Sequence, residues 1–226
     1  MKTMCGRFTF TIQPEDVLTH FHIEQELEGG SPRYNIAPGQ QVLSVVHDGE
    51  NNRAGYLKWG LVPVWAKDPS IGYKMINARS ETAHEKPSFK RLMERKRCII
   101  VADSFFEWKE ENGRKQPYRI YAPKQSFFSF AGLWDRWRDG DEDLVTCTIL
   151  TREANPFMES LHHRMPIILP EEQEQWWIQS ETRNAKQVHD ALRQFSPPEL
   201  EAYPVHSMVN SAKNDGPGCV EKVSVE

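Results

Sequence analysis

The chain has 226 residues, of which 38% are hydrophobic and 11% aromatic, enough to bury a core without disulfide or metal staples. A formal net charge of −4 excludes a global pull toward nucleic acid or membrane, so any nucleic-acid site has to be a local patch of arginine and lysine. Cys5, Cys98, Cys147 and Cys219 lie far apart with no Cys/His cluster at zinc spacing, so neither a metal nor another cofactor is expected.

In chain order, Cys5–Thr11 reads as a first strand. IQPEDVLTHF follows as a short helix, with Pro14 in its first turn and Glu15 and Asp16 favourable to the dipole there. QELEGGSPRYNIAPGQ reads as a loop. Val42–His47 and Ala54–Trp59 read as strands joined by a turn in HDGENN, and LVPVWAKDPSIG is again loop-like. Ser80–Arg95 is helical, interrupted at Pro87. Strands then dominate: Arg97–Ala102, Phe105–Lys109, Pro117–Tyr121, Phe127–Gly132 and Leu144–Thr151, with GDED as a loop between the last two. A strand in Met165–Leu169 precedes a helix opened by Pro170, Glu171 and Glu172, and another helix covers Asn184–Phe195. The polar, Gly/Pro-marked end, about 217–226, is expected to be a loose tail. Many short strands with helices between them predict an α+β fold with a sheet-rich core, and no break in composition suggests a linker, so one domain is expected over 1–226. The N-terminus lacks the apolar stretch of a signal peptide and no run is long enough to span a bilayer, which predicts a reduced, cytoplasmic protein without membrane association, nucleoid-associated if bacterial.

Several stretches carry more polar content than a strand or loop needs. Cys5 is either an ordinary strand residue or the first residue of a processed chain. Glu107 in FFEWK lies on the face opposite Phe106 and Trp108 if the strand alternates. It is then either a solvated strand residue or a carboxylate in a half-apolar cleft, suited to proton transfer. Asn77 in INARSE, at an apparent strand end, is a turn residue, a helix cap or a catalytic group. Arg79 and Arg164 would each pair with an internal carboxylate or meet a phosphate. His162 and His163 are adjacent, so in a strand their rings would point to opposite faces and one would enter a site.

CGRFT, PRYNIAPGQ, WGLVPVWA, INARSET, FFEWK and the segment around His162–Arg164–Pro166, in that order, resemble the SRAP family of SOS-response-associated, abasic-site-processing proteins, from Met4 to about Gly216. The resemblance implies the SRAP fold, a strongly twisted, barrel-like β core with peripheral helices. It also implies that Cys5, freed as the N-terminal residue, attacks the aldehyde of an abasic site in single-stranded DNA. The matching catalytic positions are Asn77, Glu107 and His162; the family usually has an acidic residue where this chain has His163. By the same pattern Arg7, Arg79 and Arg164 contact the DNA backbone and Asn35 lines the site. Trp65 is a wedge or stacking platform, or else a buried core tryptophan. The implied partner is single-stranded DNA containing abasic sites, together with replication or repair machinery, and the acting form is taken as a monomer.

The chemistry is consistent with those residue types. A free N-terminal cysteine is a 1,2-aminothiol whose amine, with a pKa of about 8, is partly neutral at pH 7. The amine condenses with an aldehyde to an imine and the thiolate closes onto that carbon as a thiazolidine, whereas an internal cysteine forms only a labile hemithioacetal. His162 would protonate the sugar ring oxygen on ring opening, Glu107 would move a proton from the amine to the departing hydroxyl, and Asn77 would hold the terminus. The imine also makes β-elimination, hence weak lyase activity, chemically accessible.

Met1–Thr3 precede Met4, so residues 1–4 are expected to be absent from the mature chain. Initiation at Met4 followed by ordinary methionine removal is favoured over cleavage after Met4 by self-processing. Two competing readings use the same cleft. One is a cysteine peptidase with Cys5 as nucleophile, His162 as base and Glu107 as orienter. The other is a non-covalent reader of modified DNA.

Overall fold

The computed structural model describes residues 6–27, 29–111, 113–179 and 183–224. Its strands are β1 (Phe8–Phe10), β2 (Arg33–Ile36), β3 (Gln41–His47), β4 (Asn52–Trp59), β5 (Asn77–Arg79), β6 (Arg97–Ala102), β7 (Ser104–Glu111), β8 (Arg114–Tyr121), β9 (Phe128–Asp139), β10 (Glu142–Glu153), β11 (Arg164–Pro166), β12 (Ile168–Leu169) and β13 (Glu201–Pro204). The helices are α1 (Pro14–His20), α2 (Ser80–Ala83), α3 (Pro87–Arg95), α4 (Pro156–Glu159), α5 (Glu171–Ile178) and α6 (Ala185–Leu192).

Five strands close into a barrel. β4 pairs antiparallel with β3, β3 with β6, β6 with β9 and β9 with β10. The ring is completed by a parallel pairing of β10 with β4, Thr146 opposite Lys58 and Cys147 opposite Trp59. This is the barrel-like α+β architecture expected. Its strands are apolar on both faces: by register Cys98, Ile100, Phe130, Cys147 and Ile149 share one face and Val45, Ile99 and Leu133 the other, and all are fully buried. Removing such surface from water is the main favourable term holding the ring closed. Burial pushes the Cys98 thiol well up and the Cys147 thiol above its usual value, so both are inert core groups.

A second antiparallel sheet, in the order β13-β8-β7-β1-β2, packs on the barrel. Phe8 on β1 inserts between Trp59 (ring centroids 5.1 Å apart) and Phe130 (5.9 Å), and Phe105 on β7 meets Phe130 edge-on at 6.0 Å. Phe8 therefore ties the N-terminal strand to the barrel two residues beyond Gly6.

Helix starts follow local chemistry. Pro14 sits in the first turn of α1, and Asn184 caps α6 in a capping box with Gln187. The GDED segment is a hairpin turn, with Gly140 at φ 55° before Asp141, so β9 and β10 run longer than their apolar cores suggest. β2 and β13, expected as loop and unassigned chain, are strands because each has a partner. Phe8 opposite Ile36 holds β2, and Glu201 opposite Tyr121 holds β13. Asn77 begins a strand instead of ending one, alongside Ile149 of β10.

The C-terminal segment, expected to be loose, is held in place as far as Val223. Cys219 and Val209 are fully buried, Val205 bridges to Lys222, and the Val223 amide donates to Pro204 O at 3.0 Å. Its polar composition is accounted for by hydrogen bonds to β2. Asp215 accepts from the Tyr34 amide (2.5 Å), the Asn35 amide (3.0 Å) and Arg33 Nε (2.5 Å). Among the described residues no helix is long and apolar enough to cross a membrane.

Candidate active site and nucleic-acid cleft

A cleft of about 700 Å³ opens where β7 and the start of β8 meet the N-terminal segment, the turn after α4 and the C-terminal segment. Its chemistry-bearing lining includes Arg7, Glu107, Lys109, Glu159, His162 and His163, with Gly6, Pro38, Trp108 and Asn210 on the walls.

Glu107 lies on β7 opposite Tyr118 of β8 and is only 2% exposed. Its neighbour Phe106 points to the other face, into a small apolar cluster with Val205, Val209 and Cys219. The alternation of β7 thus aims a carboxylate into the cleft while its neighbours seal the sheet. Trp108, half-buried, donates from Nε1 to Asn210 Oδ1 at 2.7 Å and so ties this wall to the C-terminal segment.

Arg7 is held from two sides. Its Nη1 donates to Asn35 Oδ1 at 2.7 Å and to Val209 O at 2.6 Å. Burial lowers the Arg7 guanidinium from its usual value while the nearby Cys219 acts in the other direction. Asn35, fully buried on β2, donates its Nδ2 hydrogens to carbonyls of the C-terminal segment, to Asn214 O at 2.7 Å and Ser211 O at 3.0 Å. Asn35 therefore acts behind Arg7, fixing the guanidinium, and does not itself line the cleft.

The imidazoles follow α4, which Asn155 caps through the Met158 amide at 2.9 Å. The His162 amide donates to Met158 O at 2.8 Å, closing a turn ahead of β11. His162 and His163 are therefore in a turn, not a strand. Both rings line the cleft, with centroids 4.3 Å apart and planes inclined by 37°, in place of the opposed faces expected. The Arg164 amide donates to His162 Nδ1 at 3.2 Å. A neutral ring accepting that bond carries its proton on Nε2. Arg164 O lies at the same distance from Nδ1 and can accept from a protonated ring.

Arg164, expected at the DNA backbone, is instead 5% exposed and forms an internal bidentate pair with Glu81, at 2.6 and 2.8 Å, with a further bond to Thr151 O at 2.9 Å. Burial opposes ionisation of Glu81, but the hydrogen bonds and charge of Arg164 outweigh it and hold the carboxyl below its usual value. Of the two readings open for this arginine, an internal carboxylate or a phosphate, the geometry gives the first.

Asn77 and Arg79 belong to β5, with Asn77 half-buried and Arg79 exposed. Trp65 is 57% exposed, beside Val64 at 64% and with Tyr73 at 66% further along the same loop, so the reading as a core tryptophan is ruled out. The loop that presents them is firmly anchored. Val64 N donates to Asp135 Oδ2 at 3.1 Å, Trp137 Nε1 donates to Ala66 O at 2.7 Å, and Leu61 N donates to Met75 O at 3.1 Å. Gly60, at φ 131°, and Gly72 pass so close that a Cβ on either would stand under 3 Å from the other's carbonyl oxygen. Cys5 lies outside the described residues; Gly6, bonded to it, borders the cleft.

The sequence profile of the family described as SOS response associated peptidase (SRAP) matches residues 4–212, and the chain belongs to that family. Over 222 residues it is 46% identical to the abasic site processing protein YoqW of Bacillus subtilis, covering 96% of this chain and 99% of that one. It is 32% identical to the abasic site processing protein HMCES of Xenopus tropicalis, covering 97% and 78% respectively. A crystal structure of a protein from Bacteroides thetaiotaomicron matches with a TM-score of 0.83 at 26% identity, over 97% of this chain and 100% of that chain.

Proposed function

We propose that this protein recognises abasic sites in single-stranded DNA and captures them covalently through Cys5, which must head the mature chain. The observation that carries this reading is convergence: Gly6 and Arg7, the residues that follow Cys5, border the same cleft as the buried Glu107 and the His162 ring. The relatives' names as abasic site processing proteins supply the substrate.

In the reaction protonated His162, its Nδ1–H held by Arg164 O, gives its Nε2 proton to the sugar ring oxygen while the anomeric hydroxyl releases its proton to water, and the hemiacetal opens to the aldehyde. Glu107 accepts a proton from the Cys5 ammonium. The free amine adds to the aldehyde carbon, one of its hydrogens passes to the oxygen, and Glu107 returns its proton to the resulting hydroxyl, which leaves as water and gives the protonated imine. The Cys5 thiolate then adds to that carbon as the C=N π electrons return to the nitrogen, which closes the thiazolidine. Asn77 holds the reacting terminus, and Arg79 with Trp65 engages the flanking strand by phosphate contact and stacking. Arg7 meets the phosphate nearest the lesion. Elimination from the imine gives a minor lyase activity.

The test is incubation with an abasic single-stranded oligonucleotide, followed by denaturing electrophoresis and intact mass. The expected product is protein beginning at Cys5 plus DNA minus one water. Cys5→Ala abolishes the shifted band. A shifted band that persists in Cys5→Ala, or covalent capture by a chain that retains Met1–Met4, overturns the proposal. Turnover of unrelated peptides without capture of DNA would instead establish the peptidase reading.

A further inference from the structure

The cleft holds a second imidazole that the chemistry above does not use. His163 is exposed to solvent, its ring centroid is 4.3 Å from that of His162, and both rings line the same cavity. The backbone keeps them there. Ala154 N donates to His163 O at 3.1 Å, and the Arg164 amide and carbonyl both stand 3.2 Å from His162 Nδ1. Arg164 is itself locked to Glu81 and Thr151, which fixes the backbone that presents both rings.

We propose that His162 and His163 interact as a coupled pair in the cleft, with His163 a positioning residue that biases the protonation state in which His162 meets the sugar. This rests on the reading of His162 as the proton shuttle. Two imidazolium charges at this separation repel, so a proton on either ring disfavours one on the other. Arg164 serves both states of His162, donating its amide to the neutral ring and accepting at its carbonyl from the charged one. The solvent-exposed His163 is the route by which the pair exchanges its proton with water.

Other charges face the pair: Glu159 of α4, Glu107, Lys109 and Glu110 of β7, Lys115 of β8, and Arg7. The carboxylates favour the imidazolium form and the cations oppose it. They are common to the wild-type protein and its position-163 variants, so a difference between those proteins isolates the second ring.

The experiment is an NMR titration of the imidazole resonances in DNA-free wild-type protein, His163→Gln and His163→Glu, paired with single-turnover crosslinking rates across pH 5.5–8.5. The apparent pKa of His162 is expected to rise by about 0.5–1 unit in His163→Gln and further in His163→Glu, with the pH–rate profile moving by the same amounts. In wild-type protein alone, the His162 resonance should titrate over a wider pH range than one isolated group, moving as His163 titrates, a readout independent of whether a variant folds. A simple one-group curve for His162 in the wild type, or the same midpoint in all three proteins, overturns the inference. If no protein forms a crosslink, the proposed function fails while the titration still decides the coupling.

Discussion

Arg7 reaches Asn35 Oδ1 at 2.7 Å and Val209 O at 2.6 Å, so one guanidinium joins the N-terminal segment, β2 and the C-terminal segment at the wall of the cleft. Asn35→Ala leaves that guanidinium and the carbonyls of Ser211 and Asn214 short of partners in a buried place. A loss of about 2–4 kcal/mol is expected, read as a lower denaturation midpoint. Limited proteolysis should cut first within residues 207–216, and wild-type resistance there would contradict the role given to Asn35.

Glu107→Gln keeps the side-chain volume and removes the base. Crosslink formation should slow about 100-fold or more, while affinity for intact single-stranded DNA stays within about twofold. Equal loss of affinity and rate would make the carboxylate structural.

The Glu81–Arg164 pair makes a pH-dependent contribution of known sign. Because the folded state holds the Glu81 carboxyl below its usual value, the stabilisation is present above the unfolded carboxyl value and is lost as pH falls through the folded one. Glu81→Gln should therefore cost about 1–3 kcal/mol at pH 7, intermediate between surface and buried pairs because Glu81 is partly exposed. The gap in melting temperature between the two proteins should close on acidification. A gap that is constant down to the acid limit would mean that packing, not charge, is lost.

Trp65→Ala should weaken binding to single-stranded DNA by about 1–3 kcal/mol with little change in melting temperature, since the ring is 57% exposed. Arg79→Ala should reduce the salt dependence of binding, with a slope shallower by about 0.7 for each phosphate that Arg79 neutralises. Fluorescence anisotropy over a salt series measures both effects, and unchanged binding in both variants would move the DNA path off this face.

Elements with local signals were legible in the sequence. Pro14, Pro87, Pro170 and Asn184 mark helix starts through chemistry within a few residues, and the barrel strands show as apolar runs. β2 was hidden because Arg33–Ile36 sits between glycines and prolines, and its pairing depends on Phe8 and on Asp215, far along the chain. Arg164 likewise meets Glu81 across 83 residues of chain, an ion pair that local sequence does not show. For the site, the pattern around Glu107 and His162 was readable, and both residues reach one cleft. His163 was missed because strand alternation was assumed where a turn follows α4. The Asn155-Pro156 pair, an N-cap followed by proline, was the signal that could have located that turn.

The parallel seam between β4 and β10 has a kinetic consequence. Trp59 meets Cys147 only after nearly ninety intervening residues have been made, so the ring cannot shut early in synthesis and a high contact order should slow folding. Until that seam forms, β4 and the facing Thr146–Cys147 stretch of β10 present unpaired edges, and dilution from denaturant should show a slow phase in which Trp59 fluorescence reports closure.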